Sequence, residues 1–328
     1  MKNFIKIISL PLFLILIISC EENVSPKGEL PEIFSVNMII RSDTTLQTAS
    51  VSKAYDVEGF NPSELKLDPA ISGSRVTLKY TDTGKEYLYR DTVDNDQINQ
   101  RFGTPSRYLY LKNFPIRYGK EVELSVQIQT GKLLTSKTKI PDMFTINSEY
   151  TTPFIPGPFL NQDTANINVA LNNAPSELAK MCKVRLVYFY KELDGTKTRY
   201  EVSVPLNQII ANGDTTINYV SSSYRNEIKI SRQLLKKTMF EISKGNSSKG
   251  RYSIAPLVVD IYLLDENLTR NFSAGLFFDY GFTIRNIPGN LSNILGGLGF
   301  FGSYIHSRLL IRFEDQYLLN TFGYLRER

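Results

Sequence analysis

The sequence predicts a mainly β protein: an N-terminal immunoglobulin-like β-sandwich over 31–142, followed by a second β-rich domain over 143–328 with a few short helices. Three observations carry this. Short runs rich in β-branched and aromatic residues place apolar side chains at every second position, clusters of Gly, Pro, Asn and Asp separate those runs, and stretches with helical periodicity are few. At roughly 100 to 200 residues per domain, 328 residues suffice for two cores.

The first 19 residues read as a processing signal. Lys2 and Lys6 precede an apolar run from Ile7 to Ile18 that ends in Ser19-Cys20. A spanning helix needs ~20 apolar residues, whereas a secretory core needs roughly 7 to 15, so the run fits the second. Ile17-Ile18-Ser19-Cys20 resembles the bacterial lipobox, in which the Cys thiol takes a diacylglycerol and becomes the first mature residue. Each buried methylene contributes about 0.8 kcal/mol, so several acyl chains on Cys20 hold a folded body on a membrane without a spanning helix. Residues 20–30, with Glu21-Glu22-Asn23 and Ser25-Pro26-Lys27-Gly28-Glu29, are too polar to fold and read as a tether. Acidic residues directly after the Cys resemble the surface-export signal of Bacteroidota lipoproteins, which implies an outer-membrane location at the cell surface.

Seven strands follow in order: Phe34 to Ile40, Thr48 to Lys53, Arg75 to Tyr80, Glu86 to Arg90, Tyr108 to Leu111, Glu121 to Gln127 and Leu133 to Ile140. Thr81-Asp82-Thr83-Gly84 makes a turn between two of them. Seven short strands over this length match the spacing of an immunoglobulin-type sandwich, although the Cys pair and Trp of antibody domains are missing. Ile140-Pro141-Asp142 closes the first domain, which is expected to fold alone, and a passage with Pro153, Pro156 and Pro158 follows.

The second half predicts strands over Ala165 to Leu171, Val184 to Tyr190, Arg199 to Val204 and Ile217 to Val220, with Asp194-Gly195 as a hairpin turn. Ser231 is placed to cap a helix through Ile242, with Leu234, Leu235, Thr238 and Phe240 at roughly helical spacing. Pro256 to Leu264 is almost unbroken apolar sequence and predicts a central strand buried on both faces. Ser307 to Phe313 predicts the last strand.

Composition excludes several chemistries. The 38 basic and 33 acidic residues leave a net charge of +5, and loss of Lys2 and Lys6 with the signal lowers it to +3. That surplus does not argue for nucleic acid without a clustered basic face. One His excludes HExxH and multi-His metal centres, and two Cys exclude a disulfide scaffold or a four-cysteine zinc site.

A resemblance becomes specific at Leu291-Ser292-Asn293-Ile294-Leu295-Gly296-Gly297-Leu298-Gly299-Phe300-Phe301-Gly302. Together with Val36-Asn37, the run Ala49 to Tyr55, Gly73 to Leu78, and Leu134-Thr135-Ser136 leading to Ile140-Pro141, it resembles the domain of unknown function 4249 family of Bacteroidota lipoproteins. Members are often encoded beside TonB-dependent outer-membrane transporters. The resemblance therefore implies a lipid-anchored outer-membrane accessory protein that partners such a transporter and is not an enzyme. It brings no catalytic residues with it. A free-standing cell-surface glycan- or peptide-binding lipoprotein is the alternative reading, and a carboxylate-dependent hydrolase the third.

Candidate site residues each have a plainer structural reading. Phe154 and Phe159, flanked by Pro and Gly, and Leu298, Phe300 and Phe301 in the glycine-rich segment are the partner-binding candidates; for the segment, a loop that plugs a core is the plainer reading. Gly297 to Gly302 spells G-x-G-x-x-G, but a Pro/Gly/Asn loop precedes it and a strand follows, so the dinucleotide fingerprint fails. His306 has no nucleophile motif beside it, and Cys182 reads as a small buried residue. Asp91, Asp94 and Asp96 form an oxygen-rich loop open to weak Ca2+ binding, but it lacks the Gly and distal Glu of an EF-hand and reads first as solvated; no other cofactor is expected. Without Trp, stacking on a sugar would fall to Tyr, most of which pair along strands (Tyr87 and Tyr89, Tyr108 and Tyr110, Tyr188 and Tyr190).

Overall fold

Alternation of buried and outward residues shapes the first eight strands: β1 (Phe34–Arg41), β2 (Leu46–Lys53), β3 (Arg75–Tyr80), β4 (Glu86–Leu88), β5 (Arg90–Asp94), β6 (Ser106–Lys112), β7 (Glu121–Gln127) and β8 (Leu133–Lys139). The computed structural model describes residues 32–53, 69–94, 106–156, 166–211, 214–273 and 292–327. Strands β4-β3-β7-β8 form one sheet, and β1-β2-β6-β5 are consecutive strands of another. Val36, Met38 and Ile40 from β1 bury in one core with Val76 and Leu78 from β3 and with Val122, Leu124 and Val126 from β7. A one-residue slip would turn each of these sets outward, so the pattern sets the register. This is the sandwich that the sequence predicts. The single run expected from Glu86 to Arg90 divides at buried Tyr89: β4 pairs with β3, and β5 pairs with β6 in the other sheet.

The remaining strands are β9 (Thr145–Asn147), β10 (Phe154–Ile155), β11 (Asn166–Asn172), β12 (Lys180–Lys191), β13 (Lys197–Val204), β14 (Asn207–Ala211), β15 (Asp214–Asn218), β16 (Val220–Ser223), β17 (Glu227–Ser231), β18 (Tyr252–Ile254), β19 (Leu257–Leu264), β20 (Leu298–Phe313) and β21 (Leu325–Arg326). Three α-helices accompany them among the described residues: α1 (Arg232–Ile242), α2 (Glu266–Ser273) and α3 (Asp315–Phe322). The large sheet runs β21-β18-β12-β19-β20-β1-β2-β6-β5, with β13 and β16 also on β12 and β10 on β20. β19 lies between β12 and β20, buried on both faces as its apolar run predicts. The strand expected from Ile217 to Val220 instead divides between β15 and β16, which pair with β14 and β12. α1 begins as expected, with the Leu234 amide donating to the Ser231 hydroxyl at 3.3 Å.

β20 is longer than the sequence predicts. Its first half pairs in parallel with β1 and its second half antiparallel with β19. The glycine-rich segment from Leu298 is thus strand, not loop. Glycines in it and just ahead of it lower β-propensity but permit an approach that no side chain allows: a Cβ on Gly297, the residue before β20, would lie 2.5 Å from the Phe34 carbonyl oxygen. Phe34–Arg328 forms one compact unit, and the β1–β20 pairing runs across the division expected at 142.

Polar contacts secure that junction. Asn293 mimics a strand, accepting from the Phe301 amide at 2.8 Å and donating to the Phe301 carbonyl at 2.6 Å, while its own carbonyl accepts from Ser136 Oγ at 2.7 Å. Asp265, fully buried ahead of α2, accepts from the Leu268 amide at 2.6 Å, from the Ser303 amide at 2.5 Å and from the Thr138 hydroxyl.

Candidate functional site

A concave surface lies beside β13, between the β14–β15 hairpin and α1. It is a groove of about 320 Å3. β13 contributes Val202 and Ser203, with Pro205 just beyond it; β12 contributes Tyr188; the hairpin side contributes Gln208, Ile217 and Tyr219; and α1 contributes Leu234, Lys237, Thr238, Glu241 and Ile242. Helical geometry brings the last set together, since positions 234, 237, 238, 241 and 242 follow the i, i+3, i+4 rule that puts residues on one face.

The groove is mostly apolar with a charged rim. Tyr188 stacks on Tyr200 with ring centroids 5.2 Å apart and planes 17° from parallel, which braces the wall. Ile217 and Tyr219 remain 43% and 46% exposed, more open than core packing would leave them. The Thr238 hydroxyl donates to the Leu234 carbonyl at 2.9 Å. Glu241 is paired with Lys244 at 3.0 Å, and Lys237, which lines the groove, has no ion-pair partner among the described residues.

A second polar cluster spans three adjacent strands. Asp260 on β19, 3% exposed, accepts from Arg185 on β12 at 2.6 and 3.0 Å and from Arg308 on β20 at 2.8 Å. His306 Nε2 lies 2.8 Å from the same carboxylate. Burial pushes the Asp260 carboxyl up, but hydrogen bonds from Arg308, His306 and Arg185 outweigh it and hold the pKa below the usual carboxylate value. Arg185 also reaches Glu201 at 2.6 Å. Every charge here is matched, and the cluster ties strands together without leaving an acid poised for proton transfer. His306 is accordingly a bracing residue in this arrangement.

The sequence-derived candidates are scattered. Cys20, Phe159 and Asp96 lie outside the described residues. Phe300 and Phe301 are fully buried, which corrects their reading as partner-facing: both sit on β20, where pairing with β1 turns them into the interior on opposite faces. Leu298 and Phe154 are half-buried at the start of β20 and in β10. Asp91 is ion-paired with Arg107 at 2.8 Å, Asp94 ends β5, and no cluster of three or more metal-ligating side chains occurs among the described residues. Cys182 is buried, and burial followed by the nearby Asp260 charge pushes its thiol up to about 12, leaving it protonated and inert.

The groove was not marked in the sequence as a site. Its available signals were the tyrosine at 188, read as a cross-strand packing residue, and the amphipathic run after Ser231; what joins them is a fold-back across some 50 residues.

A family model described as "Domain of unknown function (DUF4249)" matches residues 21–308. No curated protein matches the chain significantly. A solved structure, the crystal structure of Dpr11 IG1 bound to DIP-gamma IG+IG2, aligns at 8% identity over 87% of this chain and 98% of that chain, with a TM-score of 0.17; a likeness of that size carries no argument.

Proposed function

Since the chain belongs to the DUF4249 family, whose description assigns no activity, we propose from its own residues that it is a non-enzymatic lipoprotein, anchored through Cys20 in the outer membrane, facing the cell surface and acting as an accessory to a TonB-dependent transporter. The observation that carries this reading is Ile17-Ile18-Ser19-Cys20 after a short apolar run, with Glu21-Glu22 directly behind it. An acylated Cys20 places a folded β body at a lipid surface with no other membrane element required. Among the described residues, no helix is long and apolar enough to cross a membrane.

A second reading, a free-standing surface binder, is favoured by the groove between β13 and α1, because a cleft of that size with few polar groups suits a small ligand. The hydrolase reading gains no such observation: Asp260 and Glu201 are both held ionised by arginines, and Asp265 is sealed from solvent.

Metabolic labelling with an alkynyl fatty acid is expected to tag the wild type and not Cys20→Ala. A tagged chain drawn from detergent-solubilised outer membrane is expected to bring a TonB-dependent barrel with it. Labelling of both forms sinks the anchor, and a wild-type chain recovered without a barrel favours the free-standing binder.

A further inference from the structure

The groove between β13 and α1 has a wall chemistry more selective than its size alone. Val202, Ile217, Leu234 and Ile242 supply branched aliphatic surface, and Tyr188 and Tyr219 supply ring faces. A volume of about 320 Å3 sits at the low end of small-ligand clefts, which fits one or two fused rings rather than an extended chain.

Charge narrows the occupant further. Glu241 is neutralised by Lys244, so the ammonium of Lys237 is the unbalanced charge at the rim. An anionic group entering beside Lys237 gains a charge-assisted hydrogen bond while its rings cover the exposed parts of Ile217 and Tyr219. A sugar fits poorly: the Thr238 hydroxyl is already donating to Leu234, and aliphatic walls would strip water from sugar hydroxyls without replacing their hydrogen bonds.

We propose that this groove binds a small amphipathic carboxylate, a flat apolar body of one or two rings whose anionic group pairs with Lys237. The site does not depend on the anchor or on a transporter partner, and it stands or falls separately from them.

The test is calorimetric titration of residues 21–328, the chain without its apolar signal and acylation site, with naphthalene-2-carboxylate and with its neutral counterpart 2-naphthamide. The carboxylate is expected to bind about tenfold more tightly than the amide. Lys237→Gln is expected to erase that tenfold preference. Val202→Trp, which fills the groove from β13, is expected to abolish binding of both probes. Melting temperature checks that each variant is folded; should Val202→Trp fail to fold, Thr238→Trp fills the same groove from α1. Absence of binding by both probes overturns the proposal, as does a carboxylate preference that survives Lys237→Gln. Displacement of the bound carboxylate by maltose, or by a short apolar peptide in preference to free ring compounds, overturns the assigned ligand class.

Discussion

Gly299 lies directly opposite Val36 in the parallel pairing of β20 with β1, so close that a Cβ on Gly299 would stand 2.0 Å from the Val36 carbonyl oxygen. Its φ of +113° also lies where side chains are disfavoured. This contact joins the N-terminal sandwich to the C-terminal half, and it explains why a glycine-rich run that reads as a loop is a strand.

Gly299→Ala is therefore expected to destabilise the protein by about 4 kcal/mol, combining backbone strain with a clash that neither strand can relieve. Gly84→Ala is the control. Its φ is +68° but nothing lies within 4 Å of its Cβ position, so a cost of about 1 kcal/mol is expected. Urea unfolding of both variants measures the difference, and equal losses would remove the close approach as the cause.

Asp265 links stability to pH. Burial raises its carboxyl to about 6 against the opposing hydrogen bonds from Thr138, Leu268 and Ser303. A folded-state pKa above the unfolded one means that the folded chain holds this proton more tightly. The contribution is fully present below about pH 4 and is lost as pH rises through about 6, on the order of 3 kcal/mol. Asp265→Asn removes this titration. The stability of wild type relative to that variant is expected to grow as pH falls from 7 to 4; measuring the difference cancels the opposite contributions of carboxylates such as Asp260 and Glu327, whose pKa values are lowered. At pH 7 the variant is itself expected to be less stable, because both Asp265 oxygens accept backbone amides and an amide nitrogen cannot replace one of them.

Asp260→Ala is expected to cost about 3 kcal/mol, because it removes the buried oxygens that hold Arg185 and His306 and leaves Arg185 with Glu201 as its one remaining carboxylate partner among the described residues. Arg308→Ala removes a partner that is 52% exposed and is expected to cost less than about 1 kcal/mol. Thermal melts of the two variants test this ranking, and a larger loss for Arg308→Ala would show that the cluster does not act through buried Asp260.

A fragment from Lys27 to Asp142 is expected to lose most of the cooperativity of the full chain. It keeps both four-stranded layers but strips β1 of β20, Ser136 of the Asn293 carbonyl and Thr138 of Asp265. Circular dichroism during a urea titration reads the outcome. A sharp transition at the full chain's midpoint would show that the sandwich folds alone, as the strand count over 31–142 suggests.

The sequence by itself determined the mainly β class, the boundaries of β3 and β7, the double burial of β19 and the Ser231 cap. Each depends on a signal local to a few residues: alternation every second position, an unbroken apolar run, or a hydroxyl three residues before an amide. Tertiary structure alone decided which strands are neighbours. Leu298–Phe313 reads locally as glycine-rich loop and then strand, and only the approach to Val36, 263 positions earlier, makes it one strand of 16 residues. The same holds for sites. Phe300 and Phe301 have a composition suited to a partner surface, but pairing with β1 turns both inward; Val202 and Lys237 show no local signal and become neighbours because α1 folds back beside β13. Local sequence sets which face of an element is apolar, whereas the neighbour that covers that face is chosen by the packing of distant segments, a choice no window of a few residues contains.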